Sequence, residues 1–212
     1  MNKLKSRKTI FSEIYKKRAF GGKESFSGPG SSLSQTKIIR EEIPRLIKEI
    51  NARIIVDAPC GDFNWMKNVR LDVEKYIGVD IVKELIDNNR KDYGDQKKEF
   101  IVLDIVKEDL PTADVIICRD CFVHLSNKDI IEALKKFKRS QSHYLLTTTF
   151  YNIKENNDLV SGRGWRPINL QKSPFNFPEP IKLISENCTE QNGKYLDKSL
   201  GLWKLEQIFL KK

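Results

Sequence analysis

The chain has 212 residues, 39% of them hydrophobic, and a formal net charge of +9. That length suits one domain able to bury roughly 70% of its unfolded surface, and no apolar stretch approaches the ~18 residues that argue for a membrane helix. The Lys-rich first twenty residues lack the apolar segment of a secretory signal, and the four cysteines form no compact disulfide framework, so a cytoplasmic setting is expected.

The charge is uneven. Lys3, Lys5, Arg7, Lys8, Lys16, Lys17, Arg18 and Lys23 stand against Glu13 alone, which puts +7 into the first 23 residues and leaves about +2 for the rest. A basic arm suits either nucleic acid, with steep salt dependence, or a solvated helix face. No aromatic residues interleave with the interior basic ones to make a single-strand track, so nucleic acid is not the expected partner. Residues 21 to 36 are rich in Gly and Ser and read as a loop, with Gly28-Pro29-Gly30 as a hinge for a lid.

Ile39, Ile43, Leu46, Ile47 and Ile50 then make the apolar face of a helix that Pro44 kinks or restarts. Three short apolar runs follow, each closed by an aspartate: Ile54-Ile55-Val56-Asp57, Tyr76-Ile77-Gly78-Val79-Asp80 and Phe100-Ile101-Val102-Leu103-Asp104. Such runs suit strands buried on both faces of a parallel sheet. Val82, Leu85 and Ile86 open an amphipathic helix ending near Tyr93-Gly94. Ala113 to Cys118 reads as a fourth strand. Ser126-Asn127-Lys128-Asp129 resembles a capping box ahead of a helix with Ile130, Leu134 and Phe137 inward, and Tyr144 to Thr149 is a fifth strand. Past residue 150 the alternation stops: residues 151 to 180 hold four of the eight prolines. Ile181 to Thr189 and Leu202 to Leu210 then read as strands around an Asn192-Gly193 turn.

The three aspartates line one edge of the predicted sheet, where ligands of open α/β sheets bind. The turn after Asp57 reads Ala58-Pro59-Cys60-Gly61-Asp62-Phe63-Asn64-Trp65. It lacks the G-x-G-x-x-G that cradles a pyrophosphate, Pro59 removes a donor, and Asp62 would repel a phosphate. The expected ligand is therefore a nucleoside with little negative charge nearby. S-adenosylmethionine fits, with its hydroxyls, amine and cationic sulfonium.

Here the chain resembles the Rossmann-like class I S-adenosylmethionine-dependent methyltransferases, through DAPCGDFNW (57 to 65), GVD (78 to 80) and LDI (103 to 105). Pro59 and Phe63 stand where that family's first motif has its outer glycines. ICRDCFVHLS (117 to 126), LLTTTF (145 to 150), WRPINL (165 to 170) and PFNFPEP (174 to 180) resemble a bacterial subgroup encoded among genes for capsule and surface-polysaccharide decoration. The resemblance runs from about Phe20 onward. It implies an α/β, mostly parallel seven-stranded sheet with an antiparallel edge strand and helices on both faces. It divides the chain into a basic arm and lid loop (1–36) and a cofactor-binding domain (37–212) with an acceptor-pocket insert (151–180). S-adenosylmethionine would be converted to S-adenosylhomocysteine in a site of Asp57, Ala58, Cys60, Gly61, Asp62, Asn64, Trp65, Asp80, Ile81, Asp104, Ile105 and Arg119. Within it, Asp80 would take the ribose hydroxyls and Asp104 the adenine amine.

Methyl transfer asks the protein mainly to align donor and acceptor and exclude water. His124 is the better placed of two histidines to act as general base, with Asp120 orienting it or the cofactor's amine. Arg163, Trp165, Arg166 and Asn169 form the expected acceptor pocket, the two arginines suiting an anionic acceptor. Cys118 and Cys121 read as structural, and no metal ligand cluster is expected. The predicted reaction is methylation of an oxygen, or less readily a nitrogen, on a small acceptor: a sugar, nucleotide-sugar or phosphate-type group. RNA methylation and a non-catalytic cofactor-binding subunit are the alternatives; the N/D-P-P-Y of base-amine methylases is missing where Cys118-Arg119-Asp120-Cys121 stands.

Overall fold

The computed structural model describes residues 5–210, so Lys3 of the basic arm lies outside the described residues. Seven strands form one sheet: β1 (Ile54–Asp57), β2 (Lys75–Asp80), β3 (Lys98–Val102), β4 (Val115–Cys118), β5 (Tyr144–Phe150), β6 (Lys182–Ser185) and β7 (Lys198–Lys204). Their spatial order is β3-β2-β1-β4-β5-β7-β6. The first five are parallel, and β7 runs antiparallel between β5 and β6. The seven-stranded, mostly parallel α/β sheet is as expected, with its antiparallel strand one place in from the edge. The order reverses between β1 and β4, and a crevice opens beyond the carboxyl ends of the strands at such a switch point.

Alternation along the strands feeds two cores. Val56, Ile116, Cys118 and Leu145 face one way, Ile55, Val115, Ile117 and Leu146 the other. Helix α4 (Asn127–Arg139) covers the first face with Ile130, Ala133, Leu134 and Phe137. Its N-cap is the predicted Ser126, whose hydroxyl accepts from Asp129 N at 3.2 Å. Helices α2 (Lys37–Glu49) and α3 (Lys83–Tyr93) cover the second face, through Ile39, Ile43, Leu46 and Ile47 and through Leu85 and Ile86. Each such fully buried side chain contributes roughly 1.5–3 kcal/mol. Helix α2 runs on through Pro44 as one element.

The C-terminal strands depart from the sequence expectation. β6 stops at Ser185 because the Glu186 side chain turns inward to Arg119, and Asn187 takes a left-handed φ of 48°. β7 begins at Lys198, four residues before the predicted Leu202, since Lys198 and Ser199 break the apolar pattern yet are buried. Asn192 and Gly193, at φ 58° and 76°, turn the chain inside this longer connection and do not join paired strands directly. Gly201 is dictated by close approach: a Cβ there would stand 2.2 Å from the Trp203 ring.

Most of the basic arm is a solvated helix face, with Arg7 as the exception among its described basic residues. Ser6 caps helix α1 (Arg7–Lys16), and Arg7, Phe11 and Tyr15, four residues apart, lie on one side of it over the crevice. Lys8, Lys16 and Lys17 remain exposed. A Cβ at Gly162 (φ 75°) would meet Ile10 at 2.5 Å, so α1 also packs tightly on the 151–180 segment.

Candidate active site

A cavity of about 140 Å³ lies at the carboxyl ends of β1, β2 and β4. Its walls include Asp57, Cys60, Gly61, Asp62, Trp65, Asp80, Ile81, Asp104, Ile105 and Arg119, and its roof is α1 with Phe20, Phe26, Ser27 and Ser31. Two expected cofactor residues stand elsewhere. Ala58 packs in the core, its short side chain pointing away from the crevice. Asn64 donates through Nδ2 to Glu24 (2.7 Å) and to the Ser31 carbonyl (3.1 Å), so it ties down the loop.

Asp62 also anchors that loop, accepting from Phe26 N at 2.7 Å, Ser25 Oγ at 2.9 Å and Ser27 Oγ at 3.3 Å. Gly61 is needed twice over: its φ is 55°, and a Cβ would strike Ser27 Oγ at 2.3 Å. The Gly/Ser-rich segment therefore covers the cavity, held by the first turn of the domain.

Burial dominates the carboxylates. It pushes Asp57 up to about 7, against a 2.6 Å hydrogen bond from the Tyr76 hydroxyl. Asp80 is pushed to about 6 by burial, opposed by backbone N–H groups of Val82, Gly61 and Ile81. Asp104 accepts from Val106 N (3.0 Å) and from Arg7 Nη2 (3.1 Å), an α1 partner that sequence reasoning missed.

Next to it lies a larger cavity of about 490 Å³, lined by Phe20, Phe150, Trp165 and Tyr195 and by Asp120, His124, Glu190 and Lys198. His124 and Asp120 line both cavities. Burial lowers the His124 pKa, with Arg166 and Lys198 adding to the shift and Gly164 and Asp120 opposing it. Its Nδ1 partner is the Gly164 carbonyl at 2.8 Å; Asp120 does not orient the ring as expected. Instead Asp120 pairs with Lys198 at 2.6 Å and Arg119 at 3.3 Å. Burial would raise its carboxyl, but those two cations outweigh it and hold it at about 2.

Arg119 reaches Glu186 through Nε (3.2 Å) and Nη2 (2.6 Å), and its guanidinium lies 5.4 Å from the Trp65 ring centre. Lys198 also approaches Glu186, at 3.4 Å. Arg119, Glu186 and Lys198 are buried and Asp120 is half-buried, and the four charges cancel. Lys198 and Glu186 escaped the sequence reading, although each bounds an apolar strand as Asp57 does, the one signal that marked them.

The acceptor residues are corrected in part. Arg166 is buried and spent on the Asn157, Phe122 and Val123 carbonyls and on Asn127 Oδ1. Asn169 donates to the Tyr151 and Ile153 carbonyls. Both hold the insert together, because a long loop folded against the core must satisfy its own backbone groups. Arg163 is exposed outside the cavity walls. Trp165 alone of the four lines the second cavity, edge-on to Tyr195 with centroids 4.9 Å apart.

Residues 55–142 match the family model described as a methyltransferase domain. The matched segment, less than half of the chain, is similar to a methyltransferase domain. Such a domain takes S-adenosylmethionine as cofactor. Among solved structures the chain is similar to the N-methyltransferase NodS from Bradyrhizobium japonicum WM9 in complex with S-adenosyl-L-homocysteine: TM-score 0.63 and 10% identity, over 90% of this chain and 97% of that one. Human N-acetylserotonin methyltransferase in complex with S-adenosylmethionine gives 0.62 and 11%, over 94% of this chain and 60% of that one. The magnesium protoporphyrin IX methyltransferase of Synechocystis PCC 6803 gives 0.59 and 13%, over 96% and 99%. The chain thus spans about three fifths of the human enzyme. At these identities the likeness is one of fold. No protein of curated function matches the sequence. Among the described residues, no helix is long and apolar enough to cross a membrane.

Proposed function

We propose that this protein moves a methyl group from S-adenosylmethionine to a hydroxyl of a small saccharide-like acceptor, with His124 as general base. The observation that carries the proposal is that His124 stands in the wall of both cavities, so a donor in one and an acceptor in the other would meet beside it. The bound cofactor supplies an electrophilic methyl on a cationic sulfur. In this proposal Asp80 holds the ribose hydroxyls and Asp104 the adenine amine, while α1 and the loop keep water out. Asp57 and Asp80 face the cation with acidic groups, and Trp65 offers an aromatic surface. Nε2 of His124 receives the acceptor's hydroxyl proton as the new C–O bond forms.

The acceptor follows from the second cavity. Arg166 is occupied, and Lys198 and Arg119 are matched by Asp120 and Glu186, so the walls favour a neutral, hydroxyl-bearing ring over a strongly anionic one. Trp165 and Tyr195 present flat apolar surface of the kind that packs on a sugar ring. The resemblance to surface-polysaccharide enzymes supports the same class. RNA is less well supported, because α1 lies across the crevice as its roof. The four free cysteines fit a cytoplasmic protein. A panel of free and nucleotide-activated sugars, with S-adenosylhomocysteine release followed by mass spectrometry, tests the proposal. Trp165→Ala should raise the acceptor KM and leave cofactor affinity alone; the reverse pattern would overturn the acceptor assignment.

A further inference from the structure

Arg7 stands outside every methyltransferase motif in the chain, yet it enters the cofactor cavity from the first turn of α1. Its two terminal nitrogens each spend one of their two N–H groups: Nη1 lies 2.9 Å from Asp129 Oδ1 on α4, and Nη2 lies 3.1 Å from Asp104 Oδ2. The Nε–H is buried and has no partner among the described residues. A buried donor without an acceptor is costly, and native proteins seldom tolerate one without a purpose. Arg40 Nε is also unpartnered, but Arg40 lines neither cavity. Arg7 therefore brings an incompletely paired guanidinium beside the aspartate proposed to take the adenine amine.

Resting on the cofactor proposal above, we infer that Arg7 reads the adenine ring, a spare N–H of its guanidinium donating to a ring nitrogen while Asp104 accepts from the exocyclic amine. Adenine offers this pairing because its ring nitrogens are acceptors and its amine is a donor. Hypoxanthine does not: a carbonyl replaces the amine and the adjacent ring nitrogen carries hydrogen. Asp129 holds the far side of the guanidinium, so the contact exists only while α1 is docked. Recognition of the base and closure of the roof are then one event.

Calorimetry on the full chain separates the possibilities, using S-adenosylhomocysteine and its inosyl counterpart. The wild type should prefer the adenosyl compound. Arg7→Met should lose about tenfold in its affinity and most of the preference, in line with loss of one charge-assisted hydrogen bond. Arg7→Lys, the milder change, keeps a cation but not the fork, and should not restore the preference. Asp129→Asn loosens α1 and the bond from Ser161 without touching Asp104, and should weaken both compounds in proportion. Unchanged binding in the Arg7 variants, or equal weakening of both compounds, would overturn the inference and leave Arg7 as a latch. A wild-type protein that binds neither compound would instead overturn the cofactor proposal itself.

Discussion

Nδ1 of His124 lies 2.8 Å from the carbonyl oxygen of Gly164, and that contact decides the tautomer. A carbonyl only accepts, so Nδ1 carries the proton and Nε2 presents its lone pair. The same loop grips the turn before it: Gly162 N donates to the His124 carbonyl at 2.8 Å and Arg166 N to the Val123 carbonyl at 3.1 Å. The His124 turn and the 162–166 loop are thus tied together by these hydrogen bonds.

Removal of the imidazole should therefore act on the chemical step. His124→Ala is expected to lower kcat by about 10²–10⁴ while cofactor affinity stays near that of the wild type. Burial holds the His124 pKa below its ordinary 6.5, and the base works unprotonated, so with cofactor saturating, kcat/KM for the acceptor should be flat at neutral pH and fall only on the acid side of 6.5. A profile without that limb, or full turnover in the variant, removes His124 from the mechanism.

Asp57 and Asp80 set a second pH dependence. Both are raised from 3.8, to about 7 and about 6, so the folded chain keeps protons that the unfolded chain releases. Their contribution to stability is complete below pH 3.8 and is lost as pH climbs through 6 to 7. Affinity for the cationic cofactor should move the other way, rising as the carboxylates ionise. Urea midpoints and calorimetric Kd values between pH 5 and 8 check both slopes, and Asp80→Asn should flatten each.

Arg166 tests the corrected part of the acceptor pocket. Its side chain satisfies three carbonyls and an amide oxygen, so Arg166→Ala should destabilise the fold by about 2–4 kcal/mol through buried acceptors left unpaired. Lysine should not rescue it, lacking the fork. Denaturant melts would reveal the loss; intact stability together with a raised acceptor KM would return Arg166 to a binding role.

The four-charge cluster, three of its members buried, should be intolerant of an odd charge. Glu186→Ala leaves Arg119 and Lys198 facing Asp120 alone and is expected to cost about 3–5 kcal/mol. Glu186→Asp, which keeps the charge, should recover part of it. Thermal unfolding of the two variants side by side gives the comparison.

Much of the framework was legible because its signals are local. Apolar runs ending in Asp57, Asp80 and Asp104 marked the strands, and Ser126 with Asp129 marked the start of α4. The switch-point crevice follows once those strands are parallel. Lys198 and Glu186 were obscured by the same logic: a charge inside an apolar stretch reads as its end, unless a distant partner neutralises it. Arg166 misled in the opposite sense, since a loop arginine looks free until its carbonyl partners are in view.

The amino-acid sequence by itself determined the α/β alternation, the acidic strand ends and the missing pyrophosphate cradle, because periodicity and turn chemistry act over a few residues. Only the tertiary structure decided that α1 roofs the cavity, that His124 answers to Gly164 and that Lys198 stands where Arg166 was expected. Those outcomes depend on which groups must share charge and hydrogen bonds after burial: Arg7 meets Asp104 and Asp129 across 97 and 122 residues, and Lys198 meets Asp120 across 78. Pairings at such range are set by the packing of the whole sheet, which no local pattern encodes.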